Sequence, residues 1–87
     1  MHTVELILTN ESGLHARPAS LFVQEAGKYQ SDIVIIKEGK EYNGKSIIGI
    51  LSMGAVKEDR ITLLIDGEDE KEAGEGLSRL IEAQFYE

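Results

Sequence analysis

The chain alternates between short apolar segments with the two-residue repeat of a strand and longer segments with the repeat of a helix. The first kind is rich in β-branched and aliphatic residues and predicts strands over 3–8, 32–36, 41–42 and 60–65. The second kind carries apolar residues at every third or fourth position and predicts helices over 16–28 and 68–83. Between them, Ile47 to Met53 predicts a short helix that Ser46 caps and Gly54 ends.

The resulting order, β-α-β-β-α-β-α, predicts an α+β fold in which helices cover one face of a sheet. Each long helix has one apolar stripe for the core, made of Ala19, Phe22, Val23 and Ala26 in the first and of Ala73, Leu77, Leu80 and Ile81 in the last. Gly74 and Gly76 argue against the last helix, because each glycine in a helix interior costs roughly 1 kcal/mol of helix stability relative to Ala.

Length and composition narrow the class of protein. A chain of 87 residues suits a single domain over 1–87, with a modest core and chemistry near the surface. It has no cysteine, no run of the ~20 apolar residues that span a bilayer, and no signal-peptide pattern, so we expect a soluble cytoplasmic protein. The net charge of -7 disfavours nucleic-acid binding.

The first candidate site is the segment from Gly13 to Pro18. Pro is tolerated in the first turn of a helix, so Pro18 places His15 at or next to the N-cap. A helix N-terminus carries positive potential and free N–H groups, which favour a neutral, nucleophilic imidazole. The same groups, with Arg17, suit a phosphoryl group on the ring. The alternative is that His15 is an ordinary surface histidine.

The second candidate site is the short helix with its Ser46 cap. Apolar residues fall almost all around its axis, so one set covers the sheet and another can stay exposed for docking. Ile47 and Leu51 share a face, and Ile48 lies on another side. A phosphate on Ser46 would add ~1.5–2 negative charges beside a docking partner. The alternatives are a helix buried in the core and a serine that acts only as a cap.

Both segments resemble those of the histidine-containing phosphocarrier family, HPr, of the bacterial phosphoenolpyruvate:sugar phosphotransferase system. Ser12 to Ala19, SGLHARPA, is similar to its phosphohistidine signature, and Lys45 to Gly54, KSIIGILSMG, to its regulatory serine segment. The resemblance implies an open-faced β-sandwich with a four-stranded antiparallel sheet, order 1-4-2-3, and three helices on one face. Residues 38–44 are more polar than the family leads us to expect, which leaves the length of the third strand open.

The resemblance also implies roles. His15 would be phosphorylated on Nδ1 by phospho-enzyme I and would pass the group to IIA domains of sugar transporters. Ser46 would be the target of an ATP-dependent HPr kinase, after which a catabolite-control transcription factor would bind. We expect phosphate stabilisation from Ser12, Ala16 and Arg17, partner contacts from Arg17, Ser20, Ile47 and Leu51, a monomer, and no metal or cofactor.

Other functions remain open at this point. The protein could be purely regulatory, acting in catabolite repression through Ser46, Ile47 and Leu51 without a carrier role. It could also serve nitrogen metabolism rather than sugar uptake, although the Lys45-Ser46 segment argues mildly against that. A metal site is the weakest interpretation, because His2 and His15 are the only histidines.

Overall fold

The computed structural model describes residues 1–86, so the predicted domain end at residue 87 lies outside the described residues. Every predicted strand and helix is present. The strands are β1 (His2–Ile7), β2 (Asp32–Lys37), β3 (Lys40–Asn43) and β4 (Arg60–Asp66). The helices are α1 (Ala16–Ala26), α2 (Ile47–Met53) and α3 (Glu70–Glu82), followed by a 3-10 turn at Gln84–Tyr86. None of the helices in residues 1–86 has the length and apolarity to cross a membrane.

The strands form one antiparallel sheet in the order β1-β4-β2-β3, as the family resemblance implied. Alternate residues of the two central strands are buried, among them Ile35 and Leu63. Phe22 of α1, Ile50 of α2 and Leu77 of α3 are also fully buried in this core. Burying a side chain of this size contributes about 1.5–3 kcal/mol, so the helix layer is held mainly by such contacts.

The third strand is longer than the predicted 41–42. Glu38 and Gly39 both have positive φ, 52° and 79°, as a two-residue hairpin turn requires. Such a tight turn lets the flanking residues pair at once, and Lys37 pairs with Lys40. The polar sequence of this segment therefore reflects a tight turn followed by an edge strand, and it does not shorten β3.

The two glycines inside α3 sit where the helix approaches its neighbours most closely. A Cβ on Gly74 would lie 2.5 Å from the ring of His2, and one on Gly76 would lie 2.6 Å from the carboxylate of Glu25. Both glycines are buried. Their cost in helix propensity is offset by the close packing of α3 on β1 and α1.

The carboxylate of Asp69 ties the start of α3 to the loop before β2. It accepts hydrogen bonds from the backbone N–H groups of Gln30 and Ser31, at 2.8 and 3.0 Å, and from the Ser31 hydroxyl. The Ser31 hydroxyl contributes most to lowering the pKa of Asp69 below its ordinary value, and the two N–H groups add to this. Asp69 is also the N-cap residue of α3, so the helix begins two residues later than the predicted 68.

Candidate functional site

His15 is the N-cap residue of α1, as Pro18 predicted. Its backbone is extended, with φ of -133° and ψ of 156°, and its side chain makes no capping hydrogen bond. The imidazole is exposed at the positive end of an 11-residue helix, while Pro18 is buried in the first turn. A histidine at a cap that makes no capping hydrogen bond leaves its ring open to a ligand.

The backbone is strained directly after His15. Ala16 has a φ of 47°, a left-handed conformation that costs a residue with a Cβ about 1–2 kcal/mol. Strain of this kind concentrates at functional sites because the surrounding structure must enforce it. Nothing in the sequence signals it, since alanine has no preference for this conformation.

Arg17 follows on the exposed surface of the first turn. Within residues 1–86 its guanidinium forms no ion pair, so its charge is available to an anion. Ser20, one turn further along α1, is half-buried, and its hydroxyl accepts a hydrogen bond from the Gln24 amide at 3.4 Å. Ser12 is exposed and precedes His15 by three residues in the chain.

Asn10 holds the turn that leads into His15, and it is absent from the site residues predicted above. Its side chain is 1% exposed and its Nδ2 donates to the Gly13 carbonyl at 2.8 Å. In return the Gly13 N–H donates to the Asn10 carbonyl at 3.3 Å. The Asn10 Oδ1 has no hydrogen-bond partner among the described residues. An Asn in a polar turn was the available signal, because its side chain commonly bonds backbone two or three residues on.

The segment after α2 supports the same turn. The Leu14 N–H donates to the Ala55 carbonyl at 3.0 Å. Gly13 has a φ of 61°, and a Cβ there would lie 2.5 Å from the Ala55 carbonyl oxygen. Lys57 pairs with Glu11 at 3.0 Å across the two segments. The position of His15 is therefore fixed by backbone contacts of Gly13 and Leu14 with residues 55–56, and the Lys57–Glu11 ion pair joins the same two segments.

The short helix α2 is capped by Ser46, whose hydroxyl accepts a hydrogen bond from the Gly49 N–H at 3.1 Å, as predicted. The apolar residues of this helix divide between the core and the surface: Ile50 and Met53 are buried, whereas neither Ile48 nor the face formed by Ile47 and Leu51 is. Ile47, Leu51 and Ile48 are 38%, 40% and 77% exposed. These three residues form an apolar patch, called the α2 patch below.

The structure does not bring Ser46 next to His15. Lys45 donates to the Tyr29 carbonyl at 2.6 Å, so the start of α2 lies beside the end of α1. Ala55, just past the end of α2, contacts the His15 turn. The two helices therefore run antiparallel, and the length of α2, about 10 Å, separates Ser46 from the His15 turn. The α2 patch lies between the two predicted sites.

Known proteins match this arrangement in sequence and in fold. Residues 2–83 match the family described as the PTS HPr component phosphorylation site. The chain is 49% identical over 74 residues to the HPr-like protein Crh of Halalkalibacterium halodurans, covering 85% of this chain and 88% of the relative. It is 45% identical over 83 residues to the phosphocarrier protein HPr of Xylella fastidiosa, covering 95% and 93%. The structure of HPr-C-His from Thermoanaerobacter tengcongensis superposes with a TM-score of 0.98 at 46% identity, over 100% of this chain and 98% of that one. The chain therefore belongs to the HPr family of phosphocarrier proteins.

Proposed function

We propose that this protein carries phosphoryl groups in a phosphoenolpyruvate-dependent phosphotransferase system, with His15 as the acceptor. The observation that carries the proposal is the exposed His15 ring at the N-terminus of α1, which makes no capping bond. Arg17 stands two residues away without an ion pair within residues 1–86. Members of this family are carriers rather than catalysts, so a separate donor and acceptor complete the reaction.

The transfer needs positioning and charge stabilisation more than covalent machinery. The lone pair of the His15 Nδ1 attacks the phosphorus carried by phospho-enzyme I. An N–P bond forms on His15 as the bond between phosphorus and enzyme I breaks, and the freed group of enzyme I keeps the electron pair and takes up the proton that the His15 ring releases. The phosphoryl anion then lies among the N–H groups of the first turn, beside the Arg17 guanidinium. We assign supporting contacts to Ser12 and to the backbone at Ala16.

Partners dock on the surface that α1 and α2 share. Exposed Ile47 and Leu51, with Ile48, supply the apolar centre, and Arg17 and Ser20 supply polar contacts. Docking there excludes water from the His15 ring, which strengthens the charge interactions that stabilise the transferring group. The partners are enzyme I on one side of the relay and IIA domains on the other. The protein acts in the cytoplasm as a monomer in these complexes and requires no cofactor.

Regulation acts through Ser46. Its hydroxyl caps α2, and a phosphate there adds negative charge beside the α2 patch. Because Ser46 is about a helix length from His15, the phosphate changes docking rather than the chemistry at the ring. An HPr kinase that uses ATP is the proposed modifying enzyme, and a catabolite-control transcription factor is the proposed reader of the modified form.

A second candidate is a regulatory role without phosphoryl transfer. The likeness to the HPr-like protein Crh, at 49% identity, favours it. The two roles differ in what His15 does: the carrier requires its phosphorylation, and the regulator requires only Ser46 and the α2 patch.

A relay assay separates the two roles. The protein is incubated with phosphoenolpyruvate and enzyme I, and a IIA domain is then added. We expect the phosphoryl group to reach the IIA domain with the wild type and not with His15→Ala. In parallel, ATP and the serine kinase are expected to modify the wild type and His15→Ala, but not Ser46→Ala. Modification by ATP alone, with no relay, would exclude the carrier role and leave the regulatory one.

A further inference from the structure

The loop between β1 and α1 is held at both of its ends by the segment between α2 and β4. At its start, the Leu8 N–H donates to the Asp59 carbonyl at 3.0 Å, and the Leu8 carbonyl accepts from the Glu58 N–H at 2.6 Å. At its end, the Leu14 N–H donates to the Ala55 carbonyl at 3.0 Å. Leu8 and Leu14 are both buried in the core. The separation of Ala55 from Asp59 therefore sets the separation of the two ends of the loop.

A four-residue turn from Val56 to Asp59 determines this separation, and Asp59 closes it. The Asp59 N–H donates to the Val56 carbonyl at 3.0 Å, and the Val56 N–H donates to the Asp59 Oδ2 at 2.8 Å. The backbone and the side chain of Asp59 thus hold Val56 by two hydrogen bonds. Without the carboxylate, only the backbone bond would close the turn.

The turn contains a strained residue, Glu58, directly before Asp59. The φ of Glu58 is 76°. A turn with a positive φ at its third residue ordinarily has glycine there, because a Cβ disfavours this conformation. A glutamate keeps it only where the surrounding structure enforces it. The turn therefore depends on the hydrogen bonds of Asp59 more than a turn with glycine would.

A lysine beside the turn contributes less than the hydrogen bond does. The Lys37 ammonium lies 3.7 Å from the Asp59 Oδ2 and 3.4 Å from the Glu38 carboxylate, so it divides its charge between two carboxylates. Long ion pairs between partly exposed groups stabilise a protein weakly. The feature of Asp59 that shapes the turn is therefore its oxygen as an acceptor for the Val56 N–H, rather than its charge.

We propose that Asp59 is a positioning residue for phosphoryl transfer to His15. The closed turn fixes the Ala55 carbonyl, and this carbonyl holds the Leu14 N–H, directly before His15 in the chain. With the turn open, Ala55 and Leu14 shift together, and the His15 ring moves relative to the first-turn N–H groups of α1. The proposal rests on the proposed role of His15 as the phosphoryl acceptor. Asp59 acts on the transfer only through the loop.

Single-turnover transfer from pre-formed phospho-enzyme I, at increasing concentrations of the protein, tests the proposal. A misplaced ring lowers the maximal rate constant, whereas impaired docking raises the half-saturating concentration. A displacement of about 1 Å can slow a reaction by up to about 10²-fold, so Asp59→Ala should lower the maximal rate constant by about 10–100-fold. The half-saturating concentration should not change, because the α2 patch is intact. Asp59→Asn keeps an oxygen that accepts the Val56 N–H and should retain the wild-type rate constant.

A rescue variant and three controls separate positioning from stability and charge. Glycine accepts the φ of residue 58, so adding Glu58→Gly to Asp59→Ala should close the turn again and recover much of the rate. Asp66→Ala makes the same change at the other end of β4, Ile35→Val destabilises the core, and Lys37→Met removes only the ion pairs. These three should transfer at the wild-type rate. Circular dichroism confirms that every variant is folded in the assay.

Two measurements on the free protein are independent of enzyme I. In Asp59→Ala the Leu14 N–H should exchange with solvent about tenfold faster, and the ring resonances of His15 should shift. Both should return to the wild-type values in Asp59→Asn. A wild type that accepts no phosphoryl group would refute the carrier function, whereas unchanged Leu14 exchange in Asp59→Ala would refute the role of the turn. Equal slowing of transfer in Asp59→Ala and in either Asp59→Asn or Ile35→Val would overturn the proposal as well.

Discussion

Replacing Gly13 by alanine tests whether the His15 turn is fixed by its contact with the segment after α2. The φ of 61° at Gly13 imposes about 1–2 kcal/mol on any residue with a Cβ. The new Cβ would also lie 2.5 Å from the Ala55 carbonyl oxygen and 2.6 Å from the Val56 Cα. Both are backbone atoms, so the two segments must separate, which adds about 1–3 kcal/mol. Gly13→Ala should therefore lower the free energy of unfolding by about 2–5 kcal/mol.

Gly39→Ala is the matched control. Gly39 has a φ of 79°, but a Cβ there would have no atom within 4 Å, so alanine meets only the conformational cost of about 1–2 kcal/mol. Urea denaturation of both variants isolates the collision as the difference between them, about 1–3 kcal/mol. Gly13→Ala should also slow phosphorylation of His15, and Gly39→Ala should not. Equal urea midpoints for the two variants would refute the proposed contact.

Three further predictions concern the core, the turn and the pH dependence. Ile50→Ala should lower the free energy of unfolding by about 2–5 kcal/mol because Ile50 is fully buried. Ile48→Ala should change the free energy of unfolding by less than about 0.5 kcal/mol because Ile48 is exposed, and it should raise the KM of enzyme I for the protein because Ile48 belongs to the α2 patch. Asn10→Ala should cost about 1–2 kcal/mol in urea denaturation, since the Gly13 carbonyl loses a buried donor; an unchanged midpoint would exclude that role. Hydrogen bonds lower the pKa of Asp69 below its ordinary 3.8, so its stabilisation is complete at neutral pH and is lost as the pH falls below that value. Asp69→Asn should weaken this loss, and an identical pH profile of thermal unfolding in wild type and variant would contradict the assignment.

The sequence predicted the fold well where a local pattern decides the structure. The apolar stripes of α1 and α3 and the Pro18 signal placed the helices and His15 correctly, because these features depend on residues within one or two turns. The sheet order required the family resemblance, since strand pairing is not encoded locally. The length of β3 also lay beyond local pattern, because a hairpin turn at Glu38-Gly39 sets its register.

The features that position the site are less visible in the sequence. Ala16 is held in its left-handed conformation by its surroundings, and nothing about alanine indicates this. The role of Asn10 depends on the burial of the whole turn against Ala55. For α2, periodicity identified an excess of apolar residues but not which of them face the core. That choice depends on how α2 lies against the sheet and α1.

The exposed His15 ring at the start of α1 is the proposed phosphoryl acceptor, and the whole function depends on it. The most direct test is the intact mass of the protein after incubation with phosphoenolpyruvate and enzyme I, for the wild type and for His15→Ala. We expect one added phosphoryl group in the wild type only, lost on mild acid treatment as a phosphohistidine should be. An unmodified wild type, or an equal gain in His15→Ala, would contradict the assignment of His15 as the acceptor.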